Sequence, residues 1–183
     1  MPNSRHLALL RGVNVGGRNL IAKDELRQCF ETIGFTAVRT YIQSGNILFR
    51  SDSSALRELT KRVEAALSER FDYQAQAVVL SHAKYQAAVA AAPPAWGQDA
   101  ACKHYAIFPV GGITPQKVLA QLPEPDAGIE TVTVGPGVLL WSVDNRRQPR
   151  STYARLSRHQ LYKQLTIRNS NTTFKLLELF SEI

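Results

Sequence analysis

The chain has 183 residues, of which 44% are hydrophobic and 20% are charged, a balance typical of a folded globular protein and unlike that of a disordered chain or a coiled coil. The apolar run after the first six residues is about five residues long, too short for the core of a signal peptide or for a membrane span. We therefore expect a cytoplasmic protein that does not enter a membrane. The formal net charge is +7, and residues 144–183 hold eight basic residues against three acidic ones, so an acidic partner would meet that end of the chain first.

The first part of the chain alternates between strand-like and helix-like apolar patterns. In chain order these predict a strand at 7–10, a helix at 23–34 that Gly34 ends, two hairpin strands that meet at a two-residue turn of Ser44 and Gly45, a helix after the capping residues 52–54, and a strand at 76–80. The order β-α-β-β-α-β predicts a ferredoxin-like sandwich, with two helices on one face of the sheet.

The second part begins with an alanine-rich helix that prolines interrupt. The predicted elements are a helix at 82–92, a break at 93–97, a strand at 103–110, a helix at 114–122, strands at 129–134 and 138–143, and helices at 153–165 and 171–183. We predict an α+β fold with a ferredoxin-like βαββαβ N-terminal half, a second βαββα-type half and a C-terminal helix. The predicted boundaries are 1–81 for the first subdomain, 82–102 for a helix and Pro/Gly connector, and 103–183 for the second subdomain.

Several polar and glycine-bearing segments carry a family resemblance. They read Arg-Gly-Val-Asn-Val-Gly-Gly at 11–17, Tyr-Ile-Gln-Ser-Gly-Asn-Ile-Leu-Phe at 41–49, Pro-Ala-Trp-Gly at 94–97 and Thr-Ile-Arg-Asn-Ser-Asn-Thr at 166–172. With these motifs the chain resembles the bacterial family catalogued as domain of unknown function 1697 (DUF1697), over nearly its whole length. The resemblance implies a small two-part α+β protein with a ferredoxin-like first half, and it implies no activity, cofactor or partner.

The same motifs supply the residues of a predicted anion site. A glycine-bearing loop between a strand and a helix is a place where backbone amides face an anion, although such glycines also serve simple turns. Arg168 lies beside a predicted helix N-terminus, where its guanidinium suits a carboxylate or phosphate and its neighbours suit helix capping. We expect a small anionic ligand, bearing phosphate or carboxylate, to bind in a cleft between the two halves. The predicted ligand-binding residues are Arg11, Asn14, Gly16, Gly17, Arg18, Ser44, Asn46, Arg168, Asn169 and Asn171.

Two other functions stay open. The basic C-terminal segment is an alternative phosphate-binding surface for nucleic acid, because Arg155 and Arg158 share one arc of the helix predicted at 153–165. A charged arc is also the ordinary solvent-exposed face of an amphipathic helix. The residues of this nucleic-acid alternative are Arg146, Arg147, Arg150, Arg155, Arg158 and Lys163. The remaining alternative is a homo-oligomeric interaction protein, so the oligomeric state is left as monomer or homodimer.

Catalytic chemistry has little support in the sequence. Cys29 stands beside Phe30 on an apolar helix face, which predicts a buried small hydrophobic residue. The four histidines fall in different elements, and neither they nor the two cysteines have the spacing of metal ligands or of a nucleophile motif. We predict no metal and no cofactor. The sequence identifies no catalytic residue, and whether the protein is an enzyme stays open.

Overall fold

The computed structural model describes residues 3–14, 20–42 and 45–183. The chain divides into two compact units, the first containing Met1–Tyr85 and Leu176–Ile183 and the second containing Gln86–Lys175. Each unit has its own four-stranded antiparallel sheet. No helix among the described residues is both long and apolar enough to cross a lipid bilayer.

The first unit has the order of elements that its sequence predicts. Its elements are β1 Ser4–Leu10, α1 Lys23–Thr32, β2 Thr36–Tyr41, β3 Asn46–Ser51, α2 Leu56–Phe71, β4 Ala77–Ser81 and the first residues of α3 His82–Ala90. The strands lie in the order β2-β3-β1-β4, and every neighbouring pair is antiparallel. This is the ferredoxin-like arrangement, so the prediction of an α+β fold with a ferredoxin-like first half is confirmed.

Helix α1 shows how local pattern leads to packing in this unit. Leu26, Cys29 and Phe30 recur at helical spacing, and all three are buried. The chain leaves the helix at Gly34, whose φ of +83° is a left-handed conformation that glycine adopts without strain. Phe30 then contacts Phe49 of β3 edge to face, with ring centroids 5.4 Å apart. The predicted glycine stop and the predicted burial of Cys29 are both confirmed.

The opposite face of the first sheet holds the end of the chain. Arg5 and Arg50 alternate with the core-facing residues of β1 and β3, so their side chains leave the sheet on its other side. Arg5 donates a hydrogen bond to the carbonyl of Phe180 (2.9 Å), and Arg50 donates one to the carbonyl of Ile183 (2.8 Å). These two bonds attach the C-terminal segment to the sheet of the first unit.

The hairpin of the first unit has a longer connection than predicted. Tyr41 of β2 pairs with Asn46 of β3, which leaves four residues, 42–45, between the strands. Ile42 has a φ of +48° and Gly45 a φ of +70°, so both ends of the connection take left-handed conformations. The predicted two-residue turn is therefore wrong, and Ser44 itself lies outside the described residues.

The second unit repeats the topology of the first. Its elements are the end of α3, β5 Cys102–Pro109, α4 Pro115–Ala120, β6 Glu130–Gly135, β7 Val138–Asp144, a 3-10 turn Gln148–Arg150, α5 Thr152–Leu156, a 3-10 turn Gln160–Gln164, β8 Leu165–Asn169 and the start of α6 Ser170–Phe180. The strand order is β6-β7-β5-β8, which has the same positions as β2-β3-β1-β4 in the first sheet. The predicted βαββα half is thus completed by a further strand, β8.

The helix predicted at 153–165 is wrong. Helix α5 ends at Leu156, and His159 has extended backbone angles of −82° and 144° before the second 3-10 turn. The next residues form β8, whose Ile167 pairs with Ile107 of β5. Long-range pairing of a segment with β-branched residues, together with burial of Leu161, outweighs the local helical spacing. As a result, the basic residues of this segment do not share one helical arc.

Candidate anion-binding groove

The described predicted residues of the first unit are Arg11 and Asn14, which follow the end of β1, and Asn46, which begins β3. The backbone N–H of Arg11 donates to the carbonyl of Gln76 (2.8 Å), and that of Leu10 donates to the carbonyl of Gly45 (2.8 Å). These bonds bring the start of the glycine-bearing loop close to the hairpin connection. Four of the predicted residues lie outside the described residues: Gly16, Gly17, Arg18 and Ser44.

The two predicted asparagines of this unit form hydrogen bonds with backbone groups of nearby residues. Asn14 donates from Nδ2 to the carbonyl of Ile21 (2.9 Å), and its Oδ1 accepts from the Ile21 N–H (2.7 Å). This reciprocal pair joins the two ends of the glycine-bearing loop. Asn46 is 1% exposed and donates from Nδ2 to the carbonyl of Tyr41 (3.1 Å), which supports the hairpin connection. Each side chain thus has a structural role.

The predicted residues of the second unit lie where β8 meets α6. Arg168 is buried, and its Nη1 donates to Oγ1 of Thr166 and to the carbonyl of Ile167, both at 2.8 Å. The Oδ1 of Asn169 accepts from the N–H of Thr172 (2.8 Å), so this side chain caps α6. Asn171, the second residue of α6, is exposed.

A cavity of about 410 Å³ lies beside this junction and contains Asn169 and Asn171. It also contains Lys103 and Asp99, so charges of both signs face it and the net attraction for an anion is small. His104 lies against it but is 8% exposed, with Nε2 donating to the Asp99 carbonyl (3.0 Å) and Nδ1 accepting from the Ser142 hydroxyl (2.8 Å). The cavity therefore offers neither a free imidazole nor a strongly positive wall.

Cys102 in the same cavity is not an activated thiol. Burial is the main cause that raises its pKa above the ordinary value, and the neighbouring carboxylate of Asp99 raises it further. A cysteine nucleophile requires the opposite shift, toward the thiolate. No group of three or more histidine, cysteine or acidic side chains with the geometry of a metal site occurs within the described ranges.

A larger groove, of about 640 Å³, lies on the helix-covered face of the second sheet. We name it the basic groove. Its apolar lining includes Leu156 and Ile167, and its polar and aromatic lining includes Lys103, Asn145, Gln148, Tyr153, Ser157 and Tyr162. Because α5 has only five residues and a 3-10 turn follows it, the helical layer over β5 and β8 is short. The groove opens beside this short layer.

Glu130 supports helix α5, whose residues line part of the basic groove. Glu130 is buried, with 3% of its surface exposed. Its carboxylate oxygens accept hydrogen bonds from the N–H groups of Thr152 (2.7 Å) and Tyr153 (3.1 Å), the first residues of α5. It also accepts from Nε1 of Trp141 (2.9 Å) and from the N–H of Asp126 (3.3 Å). A carboxylate at a helix N-terminus satisfies otherwise free donors, so Glu130 holds α5 on the sheet.

Ring contacts hold the side chain of Tyr153 in place, in addition to the bond from its N–H to Glu130. Its ring stacks on Tyr105 of β5, with centroids 4.2 Å apart and planes 12° apart, and it contacts Trp141 at 6.0 Å. Burial, followed by the nearby Tyr105 hydroxyl, raises the pKa of Tyr153 above its ordinary value. The phenol is therefore neutral and able to donate at every physiological pH.

The electrostatic character of the groove comes from residues next to its lining. All six basic residues of the nucleic-acid alternative are exposed, and each is the immediate chain neighbour of a residue that lines the groove. Asp144 is the single acidic residue between positions 131 and 177. It accepts from the backbone N–H groups of Arg146 and Arg147 and pairs with the Arg147 guanidinium (3.1 Å), which lowers its pKa. The chain segments that supply the lining are thus strongly basic, and we call their six basic residues the basic rim.

The basic character of residues 144–183 could be predicted from the sequence, but the groove could not. Glu130 was not singled out, since its partners come from β7 and α5 and only the fold brings them to it. One signal was available: an acidic residue stands at the start of a predicted strand that is otherwise apolar or β-branched. The tyrosines gave no separate signal, because aromatic residues are equally typical of a core.

Comparison with known proteins relates the chain to a solved structure and to a protein family. It is similar to a solved structure described as the conserved bacterial protein SP0830 from Streptococcus pneumoniae, with 27% sequence identity and a TM-score of 0.86. That similarity covers 97% of this chain and 98% of the other chain. Among the curated proteins, none is similar to this chain. The family model for a protein of unknown function, DUF1697, matches residues 4–140, and the chain therefore belongs to the DUF1697 family.

Proposed function

We propose that the protein binds a small anionic ligand, one that carries phosphate or carboxylate, in the basic groove of its second unit. The observation that carries the proposal is the position of the six basic residues. Each is the chain neighbour of a lining residue, while a single carboxylate, that of Asp144, lies in the same stretch of sequence. Because the Debye length is about 8 Å at physiological ionic strength, charges one residue from the lining act on a bound anion.

The groove also contains polar groups that the fold leaves available. The ammonium group of Lys103 and the side-chain amide of Gln148 make no hydrogen bond or ion pair within the part of the chain that the structure describes. By contrast, the side chains of Asn14, Asn46 and Asn169 support loops and caps. The proposed ligand is the small anion that the sequence predicts. The proposed binding residues are those of the basic groove and no longer those of the family motifs.

Calorimetric titration with inorganic tripolyphosphate tests the proposal. At about 50 mM salt we expect saturable binding that weakens by tenfold or more at about 200 mM salt, because several screened contacts are lost together. Lys103→Ala should weaken binding about fivefold, the worth of one charge at a partly exposed site. The matched control is Lys117→Ala, an exposed lysine of α4 in the same unit that does not line the groove. Equal loss in both variants, or no binding at low salt, would refute the proposal.

A nucleic-acid backbone is the second candidate occupant, and the same basic rim favours it. Single-stranded and duplex oligonucleotides titrated at the same two salt concentrations test this candidate. We expect sequence-independent binding that collapses with salt and weakens in Arg155→Ala and Arg158→Ala. Binding that is insensitive to these two substitutions would contradict it.

A further inference from the structure

We infer that the anion bound in the basic groove is a nucleoside phosphate, whose base lies against the tyrosines and whose phosphates face the basic rim. The inference rests on the proposed function and adds the chemical class of the ligand. It depends on three features of the groove: its aromatic lining, its free amide and its size.

The aromatic lining exceeds what a simple anion requires. Tyr153 and Tyr162 both line the groove, and Tyr162 is 36% exposed. The ring of Tyr153 is held by its stack on Tyr105 and by the bond from its N–H to Glu130, so its orientation is set before a ligand arrives. Bases stack on such rings because every base has a flat π-face. Inorganic phosphate or a short carboxylic acid has no group that uses these surfaces.

The remaining lining suits the edges of a base. Gln148 presents an amide that both donates and accepts, which is the pattern needed to bind the polar edge of a purine or pyrimidine. Leu156 and Ile167 supply apolar side chains to the same lining. A few polar groups among apolar and aromatic side chains are typical of sites for small ligands.

The size of the groove favours a nucleoside phosphate over inorganic phosphate and over a longer nucleic-acid strand. A volume of about 640 Å³ falls within the range of pockets for small organic ligands, and it is far more than phosphate alone would fill. A nucleoside phosphate fills it with one base and one sugar while its phosphates reach the rim. A longer strand would place most of its bases outside the groove.

Calorimetry with matched anions tests the inference. The probes are the four ribonucleoside triphosphates, inorganic tripolyphosphate and adenosine, all titrated without added metal. We expect at least one nucleotide to bind about tenfold more tightly than tripolyphosphate, the gain typical of stacking one base. Tyr162→Leu should remove that gain, so that this variant binds the nucleotide and tripolyphosphate about equally. Tyr162→Phe, which keeps the ring, should retain it.

The possible failures are distinguishable. If every nucleotide binds no more tightly than tripolyphosphate, the base makes no contact and the inference is wrong, while anion binding stands. If neither nucleotides nor tripolyphosphate bind, the proposed function itself fails. If a single-stranded octanucleotide binds more than about a hundredfold more tightly than each mononucleotide, the ligand is nucleic acid and the inference is overturned.

A second measurement covers the case in which Tyr162→Leu does not fold. In the unchanged protein, NMR cross-peaks between base protons of the bound nucleotide and ring protons of Tyr162 are expected. Their absence at saturating nucleotide would overturn the inference.

Discussion

Replacing the buried carboxylate of Glu130 by an amide is the sharpest perturbation of the second unit. Glu130→Gln keeps the shape of the side chain and removes its charge and one acceptor oxygen. In the native protein each oxygen accepts two N–H groups. After the substitution, an NH2 group must face two of those donors, so one buried and one partly buried N–H group lose their acceptor.

The cost follows from the number of bonds affected. A hydrogen bond to a charged group contributes about 1.5–3 kcal/mol, and a buried donor left unsatisfied costs about 1–3 kcal/mol. Two lost acceptor contacts, with the other two weakened by loss of the charge, predict a decrease of about 3–5 kcal/mol in the free energy of unfolding, in the range for a broken buried charge network. That is a large share of the stability of a small domain.

Urea denaturation followed by tryptophan fluorescence measures this decrease. Both tryptophans, Trp96 and Trp141, belong to the second unit, so their emission reports the unfolding of that unit. Glu124→Gln is the matched control, since Glu124 is exposed in the same unit. We expect the control to change the free energy of unfolding by less than about 0.5 kcal/mol. A Glu130→Gln effect no larger than that of the control would refute the role assigned to this carboxylate.

Three further predictions concern stability and reactivity. His6 is 1% exposed, and burial lowers its pKa from 6.5, so as the pH falls the unfolded chain takes up the proton before the folded protein does. The free energy of unfolding should therefore fall as the pH drops below about 6.5. His6→Leu should flatten that pH dependence in circular-dichroism melts. Gly45 and Gly111 share a φ of +70°, but a methyl group at Gly45 would lie 2.8 Å from a β1 side chain and one at Gly111 would meet open space. We therefore expect Gly45→Ala to cost about 2–3 kcal/mol in urea denaturation and Gly111→Ala about 1 kcal/mol, and equal costs would contradict the steric reason. Of the two cysteines, partly exposed Cys102 should react with a thiol reagent in the folded protein and buried Cys29 only after denaturation, and rapid labelling of Cys29 under native conditions would contradict its packing.

The first unit could be predicted because its signals are local. The apolar positions of α1, the glycine that ends it and the alternation along β2 each specify an element within a few residues. The order of those elements then leaves the ferredoxin-like sheet as the natural arrangement. The predicted two-residue turn is wrong because Tyr41 pairs with Asn46, and strand pairing depends on register that the sequence does not display.

The second unit was harder because its deciding contacts are distant in sequence. Strand β8 pairs with β5, and its first residue Leu165 follows Leu161 at a spacing that also fits a helix. The groove exists because α5 ends at Leu156, and no local signal marks that end. Charge was the one property of the site that could be read in advance, since the excess of basic residues does not depend on how the segment folds. The tyrosine wall and its support by Glu130 needed the fold.

An NMR titration locates the anion site most directly. Inorganic tripolyphosphate would be added to nitrogen-15-labelled protein, and the shifts of the backbone amide signals would be followed along the chain. The proposal predicts that the largest shifts fall on Lys103 and on residues 145–163. Shifts concentrated instead at Asn169–Asn171, or at Arg11 and Asn14, would contradict the basic groove and return the site to the motifs that the sequence singled out.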